Sequence, residues 1–125
     1  KDYPGSDIAA NNLASLLSEH RTEQADWVRA YELALRFRRS DVPYFKDTLG
    51  WASYRVGKLE EGLALIKDAV RQVPEQPTFR YHLGMSYAAL NNKEQAREEL
   101  EKALELSQLN SSQDVERIRE ALEKL

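Results

Sequence analysis

A period of 34 residues is the feature that most constrains how this chain can fold. Five positions repeat in register, each pair separated by the same interval: Leu49 and Leu83, Gly50 and Gly84, Gly62 and Ala96, Ile66 and Leu100, and Ala69 and Ala103. A fixed period of this length is typical of solenoids, in which one supersecondary unit stacks on copies of itself. The sequence therefore predicts a repeat architecture.

The repeated positions include glycines inside segments with helical periodicity. A glycine in a helix interior costs about 1 kcal/mol relative to alanine, so some contact must offset it. We expect Gly50 to face Gly62 and Gly84 to face Ala96, which allows the two helices of each pair to touch closely. A bulky substitution such as Gly84→Leu is then expected to destabilise the fold.

These residues resemble the tetratricopeptide repeat (TPR) family over nearly the whole chain. In the unit that starts at Pro77, the matching residues are Leu83, Gly84, Tyr87, Ala96, Leu100 and Ala103; in the unit that starts at Pro43, they are Leu49, Gly50, Gly62, Ile66, Ala69 and Pro74. Arg80, Lys46 and Ser53 depart from the pattern. The resemblance implies an all-α, right-handed superhelical α-solenoid of three helix pairs with a C-terminal capping helix.

We expect one solenoid domain over residues 1–125, with repeats at about 7–42, 43–76 and 77–110 and a capping helix at 113–124. Seven helices are predicted, at Ile8–Glu19, Glu23–Phe37, Pro43–Val56, Leu59–Val73, Pro77–Leu90, Lys93–Ser107 and Gln113–Lys124. The last has an apolar stripe and a polar outer face, as a terminal repeat element requires. Pro4 occupies the place that Pro74 holds in the second unit, so we expect the C-terminal part of a longer repeat protein.

Composition narrows the classes of function. The 125 residues include 42% hydrophobic residues, a formal net charge of -3 and no cysteine. A nucleic-acid partner is disfavoured because a phosphate backbone needs a basic surface, and the arginines at 29, 36, 38 and 39 are better explained by solubility. No cofactor or metal site is predicted, and no apolar run is long enough for membrane insertion. Cytoplasm and periplasm both remain open.

Function is expected on the first helix of each pair, which in the TPR family lines a concave groove that binds extended peptides. The predicted groove residues are Asn11, Ser15, Tyr44, Asp47, Thr48, Trp51, Tyr54, Arg55, Thr78, Tyr81, His82 and Met85. Trp51, Tyr54, Tyr81 and Met85 would form an adaptable aromatic wall, with Trp51 the most exposed. The alternative is that these aromatics pack between neighbouring pairs.

The sequence favours a protein-interaction scaffold over an enzyme. His20 and His82 lie in different units without a partner at metal-ligand spacing, and no phosphate loop or nucleophile motif is present. Two alternatives remain: self-association through the N-terminal repeat, whose Ile8 and Leu16 would be exposed, and a spacer or regulatory module of a larger protein. The run from Asp47 to Leu63 and the run from Tyr81 to Leu104 resemble repeats of bacterial exopolysaccharide and envelope-sorting proteins.

Overall fold

The computed structural model describes residues 6–109 and 114–125, and these residues form α-helices joined by short turns, with no strand among them. The elements are α1 (Ser6–His20), α2 (Gln24–Ala34) with a 3-10 turn (Leu35–Phe37), α3 (Pro43–Arg55), α4 (Leu59–Gln72), α5 (Pro77–Ala89), α6 (Lys93–Leu109) and α7 (Val115–Glu123). The predicted all-α fold is confirmed, and the predicted bounds differ by a few residues at most. Pro4 and the expected helix start at Gln113 lie outside the described residues.

The helices pack as successive pairs. α1 packs on α2, α3 on α4, and α5 on α6, while α2 and α1 both contact α3, α4 contacts α5, and α6 contacts α7. The first helices of the pairs also contact one another, α1 with α3 and α3 with α5. These three helices therefore share one face of the stack.

Small residues let the helices of a pair approach closely, as the sequence predicted. A Cβ atom added at Gly62 would lie 2.6 Å from the carbonyl oxygen of Gly50, and one added at Gly50 would lie 2.6 Å from Cγ1 of Ile66. In the next pair, a Cβ at Gly84 would lie 2.6 Å from Cγ of Leu100 and 3.2 Å from the carbonyl oxygen of Ala96. Neither crossing has room for a larger side chain.

The turn between the two helices of a pair uses the same device twice. Gly57 and Asn91, one period apart, both adopt positive φ, at 93° and 65°. The following backbone N–H groups close the turn: Lys58 donates to the carbonyl of Ser53 at 2.8 Å, and Asn92 to the carbonyl of Tyr87 at 2.9 Å. Glycine and asparagine are the residues that tolerate this left-handed conformation at a helix end.

Two departures from the repeat pattern are compensated by ion pairs within helix pairs. Lys46 on α3 pairs with Asp68 on α4 at 2.6 Å, and Arg80 on α5 pairs with Glu99 on α6 at 2.9 Å. Lys46 and Arg80 occupy equivalent positions one period apart. A cation with a long apolar stem thus replaces the large apolar residue there, with its charge neutralised by the second helix.

The buried side chains form two clusters. One lies around α1 to α3 and includes Ala14, Ala34 and Phe37; the other extends from Trp51 to α7, where Ile118 is fully buried. α7 thus contributes an apolar face to the C-terminal cluster. Within the described ranges, no helix has the length and apolarity needed to cross a bilayer.

Candidate functional site

A polar cleft of about 230 Å³ opens on the face shared by α1, α3 and α5. Its lining residues are Asn11, Ser15, Glu19, Tyr44, Asp47, Thr48, Gln76, Thr78 and Phe79. Six of these, Asn11, Ser15, Tyr44, Asp47, Thr48 and Thr78, are predicted groove residues. Side chains from three consecutive helix pairs therefore meet at one surface depression.

Hydroxyl and amide groups join α1 to α3 inside this cleft. The Thr48 hydroxyl lies 2.5 Å from Oδ1 of Asn11, 3.2 Å from the Ser15 hydroxyl and 3.0 Å from the Tyr44 carbonyl oxygen. Asn11 accepts through its oxygen, and its amide N–H groups have no acceptor among residues 6–109 and 114–125. The cleft therefore presents both free donors and hydroxyl groups to a ligand.

The mouth of the cleft is aromatic. Tyr44 is 50% exposed, and its ring meets that of Phe79 edge-on, with 5.3 Å between centroids. Thr78 is held at the edge by a hydrogen bond from its hydroxyl to Oδ2 of Asp114 at 3.0 Å. An exposed tyrosine next to fixed polar groups is a composition often found at protein-binding surfaces.

Deeper on the same face, His82 is buried between two carboxylates. Its Nδ1 lies 2.9 Å from Oδ1 and 3.0 Å from Oδ2 of Asp47, and its Nε2 lies 2.6 Å from Oε2 of Glu19. The other oxygen of Glu19 accepts a hydrogen bond from Nη1 of Arg117 at 2.7 Å. We call these four residues the charge network; it joins α1, α3, α5 and α7.

The charge network holds two anions and two cations when His82 is protonated and Asp47, whose pKa is raised by burial against the opposing charge of His82, is ionised. Burial alone would lower the pKa of His82, but the carboxylates of Asp47 and Glu19 outweigh it and raise that pKa to about 9. Burial would likewise raise the pKa of Glu19, yet the charges and hydrogen bonds of His82 and Arg117 bring it well below its usual range. His82 is therefore an imidazolium at neutral pH.

The predicted exposure of Trp51 is wrong. Its side chain is 1% exposed, and its ring stacks on those of Tyr54 and His82, with centroids 4.4 and 4.0 Å apart. Tyr81 is also buried, and Met85 is half-buried against the same cluster. The alternative interpretation, packing between neighbouring helix pairs, describes Trp51, Tyr81 and Met85, because α3 and α5 approach each other along this side of the stack.

The remaining predicted groove residues are also separated from the polar cleft. Both ring nitrogens of His82 are occupied by carboxylates, so it is not available to hydrogen-bond a peptide in this structure. Tyr54 and Arg55 line a different cleft with Trp27, Leu59 and Ala89. The predicted site is therefore divided into a polar cleft, a buried core and a second cleft.

Sequence reasoning missed Glu19 and Arg117. Glu19 is the last residue of the first predicted helix, and Arg117 lies within the last predicted helix, with no contact between them predicted. Their partners are 63 and 98 residues away along the chain, and no local pattern indicates a contact at such a separation. Among the residues that the structure describes, no group of histidine, aspartate and glutamate is arranged to hold a metal ion.

Comparison with known proteins supports the repeat assignment. Residues 77–108 match the tetratricopeptide repeat family. A solved structure with a similar fold is that of PcrH in complex with the chaperone binding region of PopB: the TM-score is 0.72 and the identity 15%, over 99% of this chain and 98% of the matched chain. No curated protein matches. Residues 77–108 thus match a tetratricopeptide repeat, and the chain as a whole shares the helical fold of that solved structure.

Proposed function

We propose that this chain is a non-catalytic protein-interaction scaffold that binds an extended segment of another protein in the polar cleft. The observation that carries the proposal is the convergence of six predicted groove residues, from three successive helix pairs, on one cleft of about 230 Å³. Chance placement of unrelated surface residues does not explain such a convergence. The fold-level likeness to PcrH, which was solved with a segment of PopB, supports the same class of function.

The bound segment should make hydrogen bonds through its backbone. The free amide N–H groups of Asn11 can donate to a peptide carbonyl, and the hydroxyls of Ser15 and Thr48 can accept from a peptide N–H. Tyr44 supplies an exposed ring against which an apolar ligand side chain can pack. Affinity would then come from hydrogen bonds to the ligand backbone, and specificity from the ligand side chain that packs against Tyr44.

Charge further restricts the ligand. Among the described residues that line the cleft, Glu19 and Asp47 are the charged ones, and both are acidic. Their ion pairs with His82 and Arg117 neutralise these carboxylates in part, and the cleft therefore does not attract an anion. We expect neutral or basic segments to bind and acidic segments, like nucleic acid, to be disfavoured.

A matched pair of variants tests the proposal. Peptides selected for binding to the wild-type chain from a random display library would be titrated against Asn11→Ala and Asn12→Ala. Asn11 lines the cleft, whereas Asn12, the next residue of α1, is exposed and lies outside it. Loss of a hydrogen-bonding partner predicts at least about tenfold weaker binding for Asn11→Ala, and no change for Asn12→Ala.

Thermal melts of both variants would be compared first, so that a folding defect is not mistaken for a binding defect. Selected peptides that bind both variants with wild-type affinity would place the ligand elsewhere and refute the cleft. A selection that yields no specific peptide would refute the scaffold function in this form.

Self-association is a second candidate, because α1 carries exposed apolar side chains. Ile8 is 65% and Leu16 is 45% exposed, two turns apart on the same helix. Such a stripe can pair with a second copy of the chain. Analytical ultracentrifugation of wild type and the double variant Ile8→Lys/Leu16→Lys decides this: a dimer abolished by the change supports it, and a wild-type monomer at high concentration excludes it.

A further inference from the structure

Arg55, at the end of α3, is held between the only two tryptophans of the chain. The carbon of its guanidinium lies 4.9 Å from the ring centroid of Trp27 and 4.9 Å from that of Trp51. Its Nε donates to the carbonyl oxygen of Ser18 at 2.7 Å. Two aromatic faces and one hydrogen bond therefore fix the plane of the guanidinium.

The outer nitrogens of this guanidinium are unused. In the described part of the chain, Arg55 forms no ion pair, and neither Nη1 nor Nη2 has a hydrogen-bond acceptor. Arg80 and Arg117 are half-buried as well, but each of them is paired with a carboxylate, so the half-buried and unpaired Arg55 differs from both. A guanidinium offers its Nη groups as a fork suited to a planar carboxylate.

Arg55 opens into a separate cleft of about 260 Å³. The other lining residues are Trp27, Tyr54, Leu59 and Ala89, which come from α2, α3, α4 and α5. Trp27 has its indole N–H engaged with the carbonyl oxygen of Arg21 at 2.9 Å, so the walls are mainly apolar. Glu60 and Glu61 line a neighbouring cleft and not this one.

We propose that this cleft binds the side-chain carboxylate of a glutamate or aspartate on a partner protein. The carboxylate pairs with the free Nη groups of Arg55, and an adjoining apolar side chain of the partner packs against Leu59 and Ala89. Charge complementarity carries the assignment: among the described residues that line this mainly apolar cleft, Arg55 is the charged one, and it has no ion pair. A carboxylate there makes charge-assisted hydrogen bonds at reduced solvent exposure.

A side-chain carboxylate fits better than a terminal one. A glutamate side chain separates its carboxylate from the peptide backbone, which stays outside the cleft. A terminal carboxylate would bring backbone amide groups among Trp27, Leu59 and Ala89. Of the other described lining residues, Tyr54 alone has a side-chain polar group without a hydrogen bond. Polar groups buried without partners disfavour binding.

The two indole N–H resonances give a direct assay, since Trp27 lines the cleft and the ring of Trp51 contacts the Arg55 guanidinium. The probes are acetyl-Leu-Glu-Leu-amide, acetyl-Leu-Gln-Leu-amide and acetyl-Leu-Leu with a free carboxyl terminus, titrated into the ¹⁵N-labelled full chain. We expect saturable shifts of both resonances with the glutamate peptide and at least about tenfold weaker binding of the glutamine peptide. Equal binding of these two, stronger binding of the terminal carboxylate, or no saturable shift would each overturn the proposal.

Arg55→Met keeps the apolar stem and removes the charge, and it should abolish the preference for glutamate over glutamine. Arg71→Met is the matched control, because Arg71 lies on the exposed surface of α4 with its side chain 73% exposed, and it should bind as wild type does. Retained preference in a folded Arg55→Met would refute the role of Arg55. Should that variant unfold, Arg55→Lys, which keeps the charge without the planar fork, should show a reduced preference; wild-type selectivity in it would refute the bidentate contact.

This inference is independent of the proposed function. The indole titration reports on the cleft at Arg55, whereas the display selection reports on the cleft at Asn11. Either can fail while the other succeeds.

Discussion

Raising the pH from 6 to 9.5 should destabilise the fold through His82. The folded protein raises the pKa of this residue to about 9, from 6.5 in the unfolded chain. The stabilisation is therefore fully present below pH 6.5 and is lost as the pH rises through 9, where the folded protein releases the proton. At about 1.4 kcal/mol for each pH unit between the two values, the free energy of unfolding should fall by about 3 kcal/mol.

Urea unfolding at half-unit pH intervals measures this loss, and the ¹³Cε1 chemical shift of His82 reports its pKa directly. His20→Gln removes the other histidine of the chain, which lies on the exposed end of α1, and should leave the pH dependence unchanged. In His82→Gln the fall between pH 6.5 and 9 should disappear. A pKa of His82 below 7, or a free energy of unfolding that is flat across this range in wild type, would show that the buried imidazole is neutral and refute the reasoning.

Three further predictions concern stability. Gly84→Leu should lower the free energy of unfolding by more than about 1 kcal/mol, because the new side chain meets Leu100, and Gly84→Ala should cost less in the same urea experiment. Trp51→Ala should lower the free energy of unfolding by about 3–5 kcal/mol, as other large-to-small changes at buried positions do. A variant that melts as the wild type does would show that Trp51 is exposed. Arg117→Met should lower the free energy of unfolding by about 2 kcal/mol, because it leaves the half-buried Glu19 without its second cation. In thermal melts, the double variant Arg117→Met/Glu19→Gln should recover part of this loss.

The fold could be predicted because its causes are local and repeated. Leu49-Gly50 and Leu83-Gly84 mark the same helix crossing twice, and Pro43 and Pro77 mark the same helix start. Each signal lies within one period of 34 residues, which is the range over which helix pairs contact each other. Sequence periodicity reports such contacts well.

The candidate site could be predicted only in part, because its geometry depends on contacts between repeats. Asn11, Thr48 and Thr78 line one cleft, since each lies on the first helix of its pair. The prediction for Trp51 was wrong because it considered only contacts within one helix pair. Trp51 lies off the stripe of α3 that packs on α4, but it contacts α5, the first helix of the next pair. The distance between successive helix pairs depends on the packing of the whole stack, so it cannot be predicted from the sequence of one helix.

No sequence pattern predicts the charge network, but there is a physical reason why its four residues occur together. His82 and Asp47 are on adjacent pairs, and either one alone would be costly to bury. Together with Glu19 and Arg117 they neutralise one another, which makes their burial tolerable. A charged residue on the first helix of a repeat can therefore indicate a partner on another repeat as well as a ligand contact.

The ion pair between Glu19 and Arg117 also bears on how the chain unfolds. In a linear solenoid each unit contacts only its neighbours, so the end units can fray independently and unfolding spreads along the array. Here Glu19 on the first helix contacts His82 on α5 and Arg117 on α7, so that the two ends of the stack are joined directly. Unfolding of either α1 or α7 breaks the ion pair between Glu19 and Arg117 and so removes a contact that stabilises the other helix. Such a chain should lose its first and last helices together, in one cooperative step, as a small globular domain does and an open array does not.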